Sequence, residues 1–152
     1  KSNVNVAALY RPLNNKFLNF IMERIRKKYI CKNQIKKGIS GTKQLLSFFK
    51  KKTSIALMID QRVSQGIKSN FFSNMAFTTT IPAQFVKKFN CKIVPIHIER
   101  IKNTDFKITI HNPIVYSDNE TIESITQDLN HQLEKLILKN PTQWIWSHNR
   151  WK

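Results

Sequence analysis

Ile55-Ala56-Leu57-Met58-Ile59 is an unbroken apolar run, opened by Ser54 and stopped by Asp60-Gln61. A run this short, closed by polar residues, predicts a strand buried on both faces, as strands are inside parallel sheets. A carboxylate and an amide set where such a strand ends stand where α/β proteins keep their working groups. The polar loop that follows carries Gly66 and the aromatic pair Phe71-Phe72, and Thr78-Thr79-Thr80-Ile81-Pro82 reads as the start of a helix.

The flanking segments extend the pattern. Val4 to Leu9 predicts a first strand, ended by Pro12, which cannot donate to a ladder and biases Arg11 away from helix. Arg11 is therefore presented at a strand terminus, next to a turn at Asn14-Asn15. Phe17, Leu18, Ile21, Met22 and Ile25 recur at helical spacing, with Glu23, Arg24, Arg26, Lys27 and Lys28 on the opposite face. Gly38 and Gly41 mark a loop, and Thr42 is the expected cap of a helix through Leu45 to Phe49 that ends in three lysines.

After the central stretch, a helix from Thr80 to Asn90 is expected to bury Phe85, Val86 and Phe89. Lys92 to Arg100 reads as a second core strand, and Asp105 to His111 alternates as its hairpin partner. Ser117 and Glu120 have capping-box spacing for a helix that buries Ile122, Ile125, Leu129, Leu133 and Leu136 or Ile137. Strands alternating with helices predict an α/β layered domain, with a mostly parallel central sheet flanked by helices. At 152 residues the chain fits one domain, 1–152.

Charge narrows the partners. Lys and Arg number 26 against 9 Asp and Glu, a net charge of +17. So basic a chain suits an anionic partner, whether nucleic acid, a phospholipid surface or an acidic protein. No stretch reaches the roughly 18 apolar residues that a membrane-spanning helix needs. Cys31 and Cys91 have no metal-ligand spacing and read as free thiols in a reducing compartment. No Gly-rich phosphate loop, zinc spacing or Gly-x-Ser-x-Gly elbow occurs, so neither cofactor nor metal is expected.

Four histidines offer a general base, which must stand within hydrogen-bond reach of the reacting hydroxyl. His97 lies in an apolar strand and reads as a core residue, and His131 as an exposed one. His111 and His148 fall near strand or chain ends without an obvious carboxylate partner. Asp60 reads equally as a turn residue or as a site residue facing Arg11. Phe71-Phe72 and the aromatics from Trp144 to Trp151 suit core anchors better than base-stacking platforms.

Taken together, four ordered blocks resemble the lipid A biosynthesis acyltransferases, a bacterial family of lauroyl and myristoyl transferases in the lysophospholipid-acyltransferase-like superfamily. They are Tyr10-Arg11-Pro12 with the helix after it; Asp60-Gln61 with Gly66, Phe71-Phe72 and Ala76; Pro82-Ala83 through Val94-Pro95; and Pro141-x-Gln143-Trp144-x-Trp146-x-His148-x-Arg150-Trp151. The resemblance implies a glycerolipid-acyltransferase-like fold and transfer of an acyl chain from an acyl carrier protein thioester to a hydroxyl of a phosphorylated glycolipid, the lipid A precursor. It places that reaction at an anionic membrane surface, on the cytoplasmic face of the bacterial inner membrane. It implies substrate binding by Arg11, Arg24, Arg26 and Gln61, and a supporting catalytic role for Asp60.

One departure stands out. The family's motif, a His followed five positions later by an acid, is absent: Lys102, Tyr116 and Leu136 stand five after His97, His111 and His131. With Lys as the first residue, the expectation is a C-terminal portion, incomplete at its N-terminus, whose general base lies upstream and which is inactive alone. Two other readings stay open. A basic nucleic-acid-binding module fits the charge but no common nucleic-acid signature. A catalytically inactive relative at a membrane surface fits the missing motif.

Overall fold

The computed structural model describes residues 4–152. The chain divides into two compact units, Lys1–Met58 and Ile59–Lys152. The described residues are mixed α/β, with a parallel three-stranded sheet and four α-helices.

In the first unit, β1 (Val6–Tyr10) lies between β2 (Asn33–Lys36) and β3 (Ser54–Ala56). Both pairings are parallel, with Ala7 opposite Asn33 on one side and Ile55 on the other. β1 thus takes the middle position expected of the Ser54 run. β3 is a short edge strand with Ser54 and Ala56 exposed, because Leu57 to Ile59 leave the ladder. Among the described residues of this unit, Ala7, Ile35 and Leu45 are the buried apolar ones.

Helix α1 (Lys16–Ile25) starts where Asn15 Oδ1 accepts from the N–H groups of Phe17 and Leu18 at 3.0 and 3.1 Å, which satisfies two of its orphan donors. Its apolar face is open: Phe17, Leu18, Phe20, Ile21 and Ile25 are all exposed. Helix α2 (Ile39–Lys50) packs against the sheet and begins three residues before the expected cap at Thr42. Gly41 sits in its first turn, where a Cβ would lie 2.0 Å from the Lys36 carbonyl oxygen. That approach is what the glycine permits, and the helix runs through it.

The second unit opens with an unanticipated hairpin, β4 (Ile67–Phe71) and β5 (Asn74–Thr78), paired antiparallel. Its two-residue turn is Phe72-Ser73, with φ of 49° and 60°, the left-handed backbone that a tight hairpin demands. Glycine or asparagine would signal such a turn, and neither is present. Inward alternation of Ile67, Ser69 and Phe71 against Ala76 and Thr78 was hidden by the polar residues among them.

Helix α3 (Ile81–Phe89) carries Pro82 in its first turn and buries Ala83 and Val86, while Phe85 and Phe89 are only half-buried. Helix α4 (Ile122–Lys139) is capped by Thr121 with Ser124, one turn beyond the expected Ser117. Glu120 closes the preceding turn instead, accepting from the Ser117 N–H at 3.1 Å. Ile125, Leu129, Ala83, Val86 and Tyr116 form one core cluster. Phe71, Ala76 and Ile137 form another, joined by Phe72, Leu133, Trp144 and Trp151. Of the pair left open at the end of α4, Ile137 is the buried member.

Strands β6 (Ile96–Lys102) and β7 (Asp105–Ile110) pair antiparallel as expected. They do not form a second core strand, however, since Ile96, Ile98, Phe106, Ile108 and Ile110 are all more than half exposed. No helix among the described residues is long and apolar enough to cross a membrane.

Candidate functional site

The residues singled out above fall in both units. In the first, Tyr10 ends β1 and its hydroxyl donates to Glu23 Oε1 on α1 at 2.8 Å. The same oxygen accepts from Asn19 Nδ2 at 2.7 Å and meets Lys36 Nζ at 3.0 Å. These donors, the Tyr10 hydroxyl foremost, hold the Glu23 carboxyl down to about 2. Burial, and then the bond to Glu23, push Tyr10 up to about 12. Glu23 is therefore a fixed anion that ties the end of β1 to α1 and β2.

Arg26 follows α1 directly and opens a π-helical turn, Arg26–Ile30, closed by the Cys31 N–H donating to the Arg26 carbonyl at 2.9 Å. Such wide turns recur at functional sites because they re-aim one side chain. The Arg26 guanidinium lies 4.9 Å from the centre of the Tyr10 ring, and its Nη1 is buried without a partner. Arg24 is exposed instead, over Phe20 at 4.8 Å. Arg11, one residue past β1, is exposed as well. Of the three arginines, Arg26 alone carries a half-buried, under-used guanidinium.

In the second unit, Asp60 and Gln61 form a bend in the connection between β3 and β4, Asp60 half-buried and Gln61 exposed. Leu57, Met58 and Ile59 separate Asp60 from the end of β3, so it does not follow the strand directly. The loop is held from two sides. At Gly66 a Cβ would lie 2.3 Å from the Thr78 carbonyl oxygen, so the returning chain runs flush against β5. The Arg62 N–H donates to His148 Nε2 at 3.2 Å. His148 Nε2 is the acceptor of that bond.

Two residues further on, Arg150 is fully buried. Its Nη2 donates to Asn130 Oδ1 at 2.7 Å and to Thr78 Oγ1 at 3.2 Å, and its guanidinium carbon sits 4.1 Å over the Phe71 ring. Asn130 is in turn fixed by donating to the Asn70 carbonyl and to Thr78 Oγ1, both at 3.0 Å. Nε and Nη1 of Arg150 are buried with no acceptor. Desolvation lowers this guanidinium to about 10, opposed by the charges of Asp60 and Glu134. Around it, Trp144 and Trp151 lie 5.8 and 5.7 Å from Phe71. These two tryptophans are core anchors; Trp146 is the more exposed of the three.

The remaining histidines sort simply. His97 Nδ1 lies 3.7 Å from Glu99 and His131, exposed, 3.5 Å from Glu134. His111 faces a pocket of about 260 Å³ with Pro95, Asn112, Ile114, Gln132 and Leu136, and its Nε2 is buried and unpartnered. No group of three or more His, Cys, Asp or Glu among the described residues is placed to hold a metal. Both cysteines are free thiols. Residue-level reading of the sequence missed Glu23, Asn130 and Arg150. The terminal Trp-rich block was the one visible signal for Arg150, since arginine embedded among aromatics predicts stacking.

A family model described as bacterial lipid A biosynthesis acyltransferase matches residues 1–152, the whole chain. No curated protein matches it.

Proposed function

The chain belongs to the bacterial lipid A biosynthesis acyltransferases, and we propose that it serves transfer of a fatty acyl chain from an acyl carrier protein thioester to a hydroxyl of a phosphorylated glycolipid, the lipid A precursor. The match along residues 1–152 carries this reading. In the reaction the substrate hydroxyl oxygen attacks the thioester carbonyl. The ester C–O bond forms, the C–S bond breaks, and the carrier thiol leaves with a proton.

Arg26 is the strongest candidate for a glycolipid phosphate, because its buried Nη1 lacks an acceptor and guanidinium forks match phosphate oxygens. Arg11 and Arg24, both exposed, add positive charge, and Gln61 offers an amide beside Asp60. Asp60, in the second unit, is assigned a supporting catalytic role rather than that of the base. No residue among 1–152 is assigned the proton from the attacking hydroxyl, and this chain alone is proposed to be inactive. The net charge of +17 suits an acidic carrier protein and the anionic cytoplasmic leaflet of the inner membrane, where each basic residue near the surface contributes about 1 kcal/mol.

The test is direct. Full-length protein incubated with lauroyl or myristoyl carrier thioester and tetra-acylated precursor should yield a product heavier by one acyl chain, and Arg26→Met should raise KM for the precursor about tenfold. No mass gain with either donor would refute the activity.

A further inference from the structure

Helix α1 is set on its unit inside out. A surface helix normally turns its apolar stripe to the core and its polar face to water. On α1 the half-buried positions are Asn19, Met22, Glu23 and, just past its end, Arg26. Asn19 donates to Glu23 at 2.7 Å, and Glu23 accepts from the Tyr10 hydroxyl of β1 and meets Lys36 of β2. Polar contacts thus fix the inner face. The opposite face is apolar: Phe17, Leu18, Phe20, Ile21 and Ile25 are open to solvent, Phe17 with 72% of its surface exposed, and Tyr29 prolongs the stripe into the π-helical turn. A contiguous exposed stripe of this kind marks a docking surface.

Charge selects what docks there. Residues 1–58 hold 14 Lys and Arg against one acid, Glu23, which leaves this unit with 13 of the chain's 17 net positive charges. Lys16, Arg24, Lys27 and Lys28 are exposed along the same segment. Arg24 and Lys28 lie over the Phe20 and Tyr29 rings at 4.8 and 5.0 Å, so cations rim the aromatic surface. A second copy would bring two such cationic units face to face, which like charge opposes. Hydrocarbon beneath a layer of anionic headgroups answers both parts of the surface, taking the apolar side chains while the cations stay at the phosphates.

We propose that α1 and the π-helical turn after it form an interfacial anchor that lies flat on an anionic phospholipid surface, its apolar stripe in the acyl boundary and Lys16, Arg24, Lys27 and Lys28 among the headgroup phosphates. This deepens the membrane partner of the acyl-transfer reading. Arg26, the proposed phosphate ligand, stands on the inner face of the same segment, about 10 Å, one helix diameter, from the lipid.

The experiment reads depth rather than turnover. A nitroxide is attached at Ile21→Cys, or at Lys43→Cys on α2 as the control, in full-length protein whose native cysteines are serine. Phosphatidylglycerol vesicles should shield the label at 21 from an aqueous nickel chelate and expose it to oxygen, at a depth of about 5–10 Å. The label at 43, on an exposed residue, should stay in water. Lys27→Gln combined with Lys28→Gln should lower the inserted-to-free ratio of the label at 21 by about 25-fold, each basic residue at the surface being worth about fivefold. Phosphatidylcholine vesicles should weaken insertion in the same direction. A label at 21 that stays in water on anionic vesicles overturns the anchor. One already shielded before lipid is added shows that protein covers the stripe, and shielding by acyl carrier protein but not by vesicles gives the stripe to that partner; both overturn the lipid assignment. Absence of an acylated product refutes acyl transfer and leaves the depth reading standing.

Discussion

Asn130→Ala strikes the junction on which the second unit turns. The wild-type side chain is almost fully buried and bonds three partners: Arg150 Nη2 at 2.7 Å, and the Asn70 carbonyl and Thr78 Oγ1 at 3.0 Å. Its loss removes a hydrogen bond to a charged donor, about 2 kcal/mol, and one of the two bonds to the Asn70 carbonyl, about 1 kcal/mol more, Gln127 Nε2 still donating there at 3.1 Å. A total near 3 kcal/mol lowers the melting temperature by about 10 °C in a protein of this size. Intrinsic fluorescence is the assay of choice, because the chain has 3 tryptophans and all of them pack around Phe71 or one another. A double-mutant cycle separates the two terms. In an Arg150→Met background the charged bond is already gone, so the same substitution should cost about 2 kcal/mol less. A drop under about 3 °C, or equal costs in both backgrounds, would refute the claim that Asn130 exists to hold the buried arginine.

Further substitutions probe three other joints. Glu23 is held down to about 2 by the Tyr10, Lys36 and Asn19 donors, so its stabilisation is present above the ordinary carboxylate range and is lost as pH falls toward 2. Circular-dichroism melts should therefore show Glu23→Gln less stable than wild type at neutral pH, with the gap closing between about pH 4.5 and 2. Gly41→Ala puts a Cβ 2.0 Å from the Lys36 carbonyl oxygen, whereas Gly38, at φ 140°, has open space around it. Gly41→Ala should cost more than about 3 kcal/mol and Gly38→Ala about 1–2 in urea titrations, and the reverse order would sink the packing argument. Glu134→Ala frees the Phe72 N–H in its left-handed turn. Losing that charge-assisted bond should cost about 2 kcal/mol by tryptophan fluorescence, and Glu134→Gln, which keeps the acceptor, about half of that.

What could be read in advance followed periodicity, and what could not followed context. The helices α1, α3 and α4 show their apolar spacing plainly, and Asn15, Pro82 and Asn140-Pro141 punctuate them in the linear sequence. The parallel pairing of β1 with β3, expected if the Arg11 and Asp60 strands were neighbours, also appears. Which of the two lies in the middle was misjudged. Continuous apolar character in Ile55 to Ile59 predicts burial on both faces, yet only the first residues of the run join the ladder. The β4–β5 hairpin escaped because its turn borrows strain tolerance from tertiary contacts: Glu134, 62 residues away in sequence, holds the Phe72 N–H. No local rule contains that carboxylate.

The same limit governs the site. Arg24 and Arg26 stand only two positions apart in the sequence. The π-helical turn separates them, giving Arg26 the Tyr10 ring and leaving Arg24 over Phe20. Asp60 was visible because a carboxylate beside an apolar run is conspicuous, but the bond that holds its loop comes from His148, 86 residues beyond Arg62. Arginine in an aromatic block announces stacking and says nothing of two unspent donors. A sequence exposes the residues that depart from their local pattern. It conceals those whose departure exists only once distant segments have met, and in this chain His148 at the Arg62 N–H and Arg150 at Asn130 are of that second kind.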